Sequence, residues 1–186
     1  MIVGKRVRLR ALSKADLPAF VDWLNDADVR RNLTLYQPVS MEQEERWFLQ
    51  TLALPVDEQP LSIEAKRGAD WQLVGNIGFM NLDTHARSAE IGLFIGIKDL
   101  WDKGLGGEAM RLMLAHGFQT LNLNRIYLCV YESNLRGVRC YEKAGFQLEG
   151  RLREARFLEG RYIDILMMSI LKSEWTKEQL RKEGNS

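Results

Sequence analysis

The sequence predicts an α/β domain of the α+β kind, with a mixed, mostly antiparallel central sheet that contains one parallel crossover. Strand-like runs between residues 61 and 97 are joined by turns so short that neighbouring strands must be antiparallel. The runs at 88–97 and 125–131 are instead separated by a helix-length segment, which favours a parallel pair. A length of 186 residues is sufficient for one domain with its own core.

The N-terminal part is typical of a strand followed by two helices. Residues 2–10 alternate apolar and basic side chains, as a half-buried strand does. Ser13 and Ser40 each have an acidic or amide residue three positions later, which is the spacing of a capping box. A helix is therefore expected after each serine. Residues 26–39 lack a period and are expected to be irregular.

The rest of the chain alternates between strands and helices. Strands are expected at 61–66, 71–82, 88–97, 125–131, 146–157 and 161–171, and helices at 108–121 and between a cap at Ser133 or Asn134 and a stop at Gly145. We expect residues 1–172 to form a single domain. A last helix is one option for the charged tail at 173–186.

Composition excludes several classes of protein. The 26 Lys and Arg residues balance 25 Asp and Glu residues, so the basic excess of a nucleic-acid-binding protein is missing. No window resembles a membrane span or a signal peptide, which predicts a cytoplasmic protein without a membrane partner. Cys129 and Cys140 suit a reducing compartment. Neither they nor His85 and His116 have metal-ligand spacing, and we expect no metal.

A glycine-rich junction lies between the strand-like run at 91–97 and the next helix. Residues 100–110 read LWDKGLGGEAM and include Gly104, Gly106 and Gly107. The first amides of a helix have no intrahelical acceptor, and the helix dipole adds partial positive charge there. The junction is therefore a candidate site for a phosphate group, although glycines are also the ordinary residues of a tight turn.

Two segments together resemble a known family: AEIGLFIGIKDLWDKGLGGEAM and, downstream, NLRGVRCYEKAGFQLEGRLRE. They resemble the GCN5-related N-acetyltransferases (GNAT), in particular the bacterial branch that contains ribosomal-protein N-terminal and spermidine acetyltransferases. The resemblance extends over residues 7–171 and implies the GNAT fold. It also implies an enzyme that uses acetyl-CoA as co-substrate and acetylates a primary amine by direct attack in a ternary complex. Dimers are common in the family, so a homodimer is one expectation.

The resemblance also assigns coenzyme-binding residues. Family members bind acetyl-CoA through a loop with the pattern Arg or Gln, x, x, Gly, x, Gly or Ala. Gly104 and Gly106 match the two glycine positions, whereas Trp101 stands where Arg or Gln is usual. Carried onto this chain, the coenzyme contacts are Phe94, Ile95, Gly96, Ile97, Trp101, Asp102, Lys103, Gly104, Leu105, Gly106, Gly107, Asn134, Arg136 and Lys143.

The chemistry of acetyl transfer suggests two catalytic residues. The acceptor amine must lose a proton and the leaving thiolate must gain one. Glu90 is the candidate base, directly or through water, because it lies on the strand that leads to the glycine loop. Tyr141 is the candidate acid, and it lies seven residues after Asn134 on the same face of one helix. A strand-pairing glutamate and a core tyrosine are the alternatives.

The acceptor is less well defined. In this branch the acceptor groove is lined by the segment between the first two helices and by the closing strands, which here contain Tyr36 and Glu154. His85, in the turn before Glu90, is a third candidate. These aromatic, basic and acidic side chains do not indicate whether the acceptor is a peptide α-amine, a polyamine or an antibiotic amine.

The sequence also allows three alternatives to this function or mechanism. Gly104, Gly106 and Ala109 fit a dinucleotide-binding pattern, with Glu132 after the next strand, but the chain has too few parallel crossovers for that fold. An acyl-cysteine intermediate at Cys140 has no histidine close in sequence to activate it. A non-catalytic acyl-CoA sensor on the same scaffold could dispense with the two catalytic candidates, and both are present.

Overall fold

The computed structural model describes residues 1–183, and its elements follow the predicted order. The strands are β1 (Ile2–Val3), β2 (Val7–Ala11), β3 (Leu61–Arg67), β4 (Asp70–Asp83), β5 (Ser88–Ile95), β6 (Arg125–Tyr131), β7 (Gln147–Leu158) and β8 (Arg161–Leu171). The helices are α1 (Leu17–Asn25), α2 (Ala27–Arg30), α3 (Met41–Leu52), α4 (Leu105–Ala115), α5 (Leu135–Lys143) and α6 (Lys172–Glu183). The charged tail thus contributes a helix, and its residues 184–186 lie outside the described part of the chain.

The predicted mixed sheet is confirmed. The strands are hydrogen-bonded in the order β1-β2-β3-β4-β5-β6-β8-β7. Strands β5 and β6 are parallel, with Ser88 opposite Arg125 and Glu90 opposite Tyr127. Antiparallel pairs include β2 with β3, β3 with β4, and β8 with both β6 and β7. The helix-length connection before β6 therefore makes the parallel crossover that the sequence predicts.

Most predicted helix caps are confirmed. Ser40 and Gln43 form a reciprocal capping box at the start of α3. Ser13 also forms a capping box, although it begins a 3₁₀ turn at Lys14–Asp16 that precedes α1. Of the two proposed caps of α5, Asn134 is the one whose side chain accepts a hydrogen bond from the helix.

Three expectations about element boundaries are wrong. A turn in which the Gly4 amide donates to the Val7 carbonyl divides the expected strand at 2–10 into β1 and β2. The segment expected to be irregular contains α2, which is capped by Asp26 and is too short to show a helical period. Helix α4 begins three residues before the expected start, and a π-helical turn follows it at His116–Thr120.

The described chain divides into two compact units. The first consists of Met1–Phe79 and Gly92–Met113, and the second of Met80–Ile91 and the residues from Leu114 onward. In the first unit, Phe20 at the centre of α1 packs edge-on against Trp47 and Phe94. In the second unit, the inward positions of β6 are buried, and Phe118 packs against Trp175 of α6.

Candidate active site

The glycine-rich loop lies in the first unit, between β5 and α4. After Ile95 the chain makes a 3₁₀ turn at Lys98–Leu100 and then adopts left-handed backbone angles at Asp102 (φ 59°) and Gly104 (φ 79°). Glycine adopts such angles without steric penalty, which explains its place directly before the helix. The loop therefore reverses direction and presents the first turn of α4.

The first amides of α4 are available for a ligand. The first helical bond at this end runs from the Glu108 amide to the Gly104 carbonyl, at 3.0 Å. Within residues 1–183, the amides of Leu105, Gly106 and Gly107 have no backbone or side-chain acceptor. Three unbonded N–H groups at the positive end of an 11-residue helix suit an anion such as a diphosphate.

A carboxylate braces this helix from the N-terminal strands. Glu108 Oε1 accepts hydrogen bonds from the backbone amides of Arg6 at 2.7 Å and Val7 at 3.1 Å, and Oε2 pairs with Arg6 Nε at 3.1 Å. Arg6 Nη1 also donates to the Lys103 carbonyl. Although burial raises the pKa of Glu108, these bonds lower it more, and the net shift is downward. The loop is thus tied to the start of β2.

Trp101, which replaces the usual Arg or Gln, has a visible role. Its indole Nε1 donates a hydrogen bond to the Ile95 carbonyl at 2.7 Å. The side chain therefore links the loop to the last residue of β5. Sequence reasoning identifies the departure from the family pattern but not this contact.

Gly96, one of the proposed coenzyme contacts, also has a packing role. Its amide donates to the Val74 carbonyl at 2.8 Å, and a Cβ at this position would lie 2.0 Å from a ring atom of Trp23. The glycine therefore makes room for the tryptophan. The next amide, of Ile97, has no acceptor in the described residues and is the better candidate to bond a carbonyl oxygen.

Glu90 lies in the second unit, in a polar cluster on the sheet. One carboxylate oxygen accepts a hydrogen bond from Asn81 Nδ2 at 2.8 Å. Tyr127, opposite Glu90 on β6, has a raised pKa, first because it is buried and then because of the negative charges of Glu90 and Cys129. Burial and the Glu90 charge also raise the pKa of the Cys129 thiol. The sequence interpretation includes Glu90 and misses its neighbours.

Helix α5, also in the second unit, carries Asn134 and Tyr141. The Asn134 side-chain oxygen accepts from the Gly137 amide at 3.0 Å, so it caps the helix, and its amide nitrogen has no bond in that cap. Tyr141 contacts the Phe146 ring, with the centroids 6.0 Å apart. Burial raises the pKa of its phenol well above the ordinary value, so the hydroxyl keeps its proton at neutral pH.

The remaining coenzyme candidates are spread over both units. Asp102 and Lys103 are exposed in the first unit, whereas Arg136 is half-buried and Lys143 exposed on α5 in the second. Phe94 and Ile95 lie on β5 and Leu105 begins α4. Their roles toward a coenzyme remain predictions.

The three acceptor candidates are not clustered in one unit. Tyr36 is 70% exposed in the first unit, and His85 is in an exposed turn where its amide donates to Asp83. Glu154, with φ 51°, donates its amide to Asp164. It lines a shallow depression of about 790 Å³ together with Arg151, Leu152, Arg153 and Asp164.

Glu44, in the first turn of α3, is a buried carboxylate that the sequence does not single out. The residue is only 6% exposed, and its carboxylate has no partner within residues 1–183. Burial raises its pKa. The buried carboxylates of Asp16 and Glu64 both pair with Arg10 instead. An unpaired buried carboxylate is costly, and a cationic ligand would reduce that cost.

Residues 1–183 contain neither a membrane-spanning helix nor a metal-binding cluster. No helix in this range has the length and apolar character needed to cross a bilayer. The same range contains no group of three or more His, Cys, Asp or Glu side chains placed to hold a metal ion.

Comparison with known proteins identifies the family. The family model described as "Acetyltransferase (GNAT) domain" matches residues 6–147, which is most of the chain. The chain therefore belongs to the GNAT acetyltransferases. The family, the mixed sheet with its parallel pair and the relatives described next confirm the predicted fold, and the protein is an acetyl-CoA-dependent N-acetyltransferase.

Relatives of nearly full length give the same class of enzyme. The chain is 31% identical over 173 residues to a Bacillus licheniformis protein named "Uncharacterized N-acetyltransferase p20", covering 92% of this chain and 96% of that protein. It is 30% identical to the spermidine N(1)-acetyltransferase of Vibrio cholerae, covering 93% and 97%. The crystal structure of the Vibrio cholerae spermidine N-acetyltransferase with CoA and spermine superposes with a TM-score of 0.84 at 28% identity, over 93% of this chain and 99% of that one.

Proposed function

We propose that this N-acetyltransferase acetylates a primary amine of an aliphatic polyamine. The observation that carries the proposal is Glu44, a buried carboxylate with no partner in residues 1–183, located just after the segment that lines the acceptor groove in this branch. A polyamine carries a second ammonium group that such a carboxylate can bind while the first is acetylated. The Vibrio cholerae relative described above, as a sequence and as a solved structure, is named for spermidine, which supports the same class.

Glu90 is the base in this proposal. An alkyl ammonium group has a pKa of ~10.4, so at neutral pH the acceptor arrives protonated and cannot attack. A proton moves from the ammonium nitrogen to the Glu90 carboxylate, directly or through one water, and the nitrogen lone pair becomes available. The hydrogen bond from Asn81 engages Oε2, which leaves Oε1 for this proton.

Acetyl-CoA supplies the thioester. The amides of residues 105–107, with Lys103 beside them in sequence, are proposed to hold its diphosphate. The Ile97 amide is proposed to polarise the acetyl carbonyl, because it has no acceptor within the described residues. The hydrogen bond of Trp101 to Ile95 and the Glu108 brace keep this loop in place.

The Tyr141 hydroxyl is proposed to donate a hydrogen bond to the leaving thiolate. A thiol has a pKa of ~8.5, whereas the pKa of Tyr141 is raised by burial. Complete proton transfer from this phenol to the thiolate is therefore uphill. The neutral hydroxyl stabilises the developing negative charge by donating a hydrogen bond, and the thiol takes its final proton afterwards.

The chain also fits a reducing compartment. Cys129 and Cys140 form no disulfide within residues 1–183, as is usual in the cytoplasm, where we propose to place the enzyme.

A panel of amines tests the acceptor class. Acetyl-CoA turnover is measured with spermidine, spermine, a monoamine and peptides with free N-termini. We expect kcat/KM to be highest for the polyamines, and Glu44→Gln to lower it for them by about 10- to 100-fold while leaving the monoamine unchanged. A higher kcat/KM for peptide α-amines than for polyamines would contradict the polyamine proposal and indicate a peptide N-terminus as the acceptor. Tight coenzyme binding without turnover of any amine would support the non-catalytic sensor.

A further inference from the structure

Asn81 is the residue that contacts the proposed base. It lies near the end of β4 and has a left-handed backbone conformation, with φ 53°. Asparagine is one of the few non-glycine residues that tolerate this region, because its short side chain can bond locally. Here the side chain instead reaches another strand, where Nδ2 donates to Glu90 Oε2 at 2.8 Å.

The same amide also meets a second titratable group. The Asn81 side chain lowers the pKa of the Tyr127 phenol, against the larger upward shift caused first by burial and then by the Glu90 charge. Cys129 is a further titratable group near Glu90: the pKa of its thiol is raised first by burial and then by the Glu90 charge. Arg125 lies 5.5 Å from the Tyr127 ring centroid and is paired with Glu149. The proposed base, with Asn81 bonded to it, therefore lies among titratable groups of β6.

A second asparagine separates backbone from side-chain effects. Asn122 has nearly the same left-handed angle, φ 55°, and lies in the same unit. Its side-chain oxygen accepts from Lys172 Nζ at 2.9 Å, whereas the hydrogen bond to Glu90 comes from Asn81. If the only role of Asn81 were to adopt the left-handed backbone conformation, substitution of Asn81 and of Asn122 would have the same effect on the Glu90 titration and on kcat.

We propose that Asn81 is a positioning residue for Glu90, holding Oε2 so that Oε1 faces the acceptor ammonium. The inference rests on the proposed function, in which Glu90 is the base. A carboxylate that accepts a hydrogen bond on one oxygen loses rotational freedom, and its other oxygen is presented in one orientation. The amide does not exchange protons itself, so it acts only through the carboxylate.

Two substitutions at Asn81 test the positioning role and are compatible with the left-handed backbone conformation at this position. Asn81→Gly keeps the left-handed conformation and removes the amide. Asn81→Asp keeps the shape but replaces the donor by a second carboxylate beside Glu90, which disfavours ionisation of both. Asn122→Asp is the matched control, because it introduces the same charge at the same backbone conformation elsewhere.

Two readouts are measured on each variant. Titration of the Glu90 side-chain carboxyl by ¹³C NMR requires no activity, and the pH profile of kcat/KM with spermidine reports the base in the free enzyme. For Asn81→Asp we expect both the Glu90 titration and the acidic limb to move upward by about one pH unit. For Asn81→Gly we expect kcat to fall about 3- to 10-fold with an unchanged KM for acetyl-CoA. Asn122→Asp should match wild type.

The outcomes separate this inference from the proposed function. A Glu90 titration that is the same in Asn81→Asp and Asn122→Asp overturns the positioning role, whatever the activity. Glu90→Gln tests the base alone: it should remove the acidic limb and most of the rate. If Glu90→Gln keeps a wild-type profile, the base assignment fails, and the inference is overturned with it because there is no base to position.

Discussion

The Glu108 carboxylate holds the backbone of Arg6, accepting its amide hydrogen at 2.7 Å. The same arginine donates through Nη1 to the carbonyl of Lys103 in the glycine-rich loop. A residue in the first turn of α4 and one directly before β2 therefore restrain the loop from both sides. Together with the hydrogen bond from Trp101 to Ile95, this brace is the main restraint on the loop and the free amides within residues 1–183.

Replacing Glu108 by Gln should weaken both the fold and coenzyme binding. The neutral amide keeps one acceptor oxygen but loses the charge-assisted bonds to Arg6. We expect a loss of about 1–3 kcal/mol in the free energy of unfolding, measured by urea denaturation, and weaker acetyl-CoA binding by calorimetry. Asp57→Asn, an exposed change in the same unit, is the control. Equal stability of the two variants would show that the brace is unimportant.

The same pair predicts a dependence of stability on pH. The folded-state pKa of Glu108 lies below its ordinary value of 4.5. Its contribution is therefore complete above that value and is lost as the pH falls through the lowered folded pKa. The difference in unfolding free energy between wild type and Glu108→Gln should shrink between about pH 5 and pH 3. Other carboxylates titrate in both proteins and cancel, so a constant difference would contradict the assignment.

Substitution of Tyr141 by Phe should slow turnover without affecting coenzyme affinity. Loss of the hydroxyl removes the hydrogen bond to the leaving thiolate, and we expect kcat to fall about 10- to 100-fold at pH 7. The deficit in kcat should persist above pH ~9, because the hydroxyl donates a hydrogen bond to the thiolate and does not give up its proton. Steady-state kinetics across pH measure both effects, with Tyr162→Phe, which is 64% exposed, as the control. An unchanged rate would remove Tyr141 from the chemistry.

A pair of glycines separates backbone strain from coenzyme binding. Gly104 (φ 79°) and Gly68 (φ 62°) both have left-handed angles, so alanine at either should cost about 1 kcal/mol of stability. A Cβ at Gly104 would also lie 3.3 Å from Arg6 Nη2, whereas nothing is within 4 Å at Gly68. We expect only Gly104→Ala to weaken acetyl-CoA binding in calorimetry. Equal binding by both variants would argue against a role of this loop.

The features predicted correctly from sequence are those with local causes. Strand β6 at Arg125–Tyr131 has an apolar run of its own, and Asn134 caps α5 through an amide only three residues away. Contacts between distant residues could not be predicted in this way. Glu108 meets Arg6 across 102 positions, and the donor for Glu90 comes from a turn-like asparagine, so these partners depend on the pairing of strands.

The free amides of α4 are the central claim, and calorimetric titration of acetyl-CoA into Gly106→Asp and Gly106→Asn tests it most directly. Aspartate in the first turn suits the helix dipole, so the helix should remain folded while the added charge repels a diphosphate. We predict normal binding by wild type, weaker binding by the neutral Asn variant and no detectable heat with Asp. Binding of acetyl-CoA to Gly106→Asp with wild-type affinity would contradict the account.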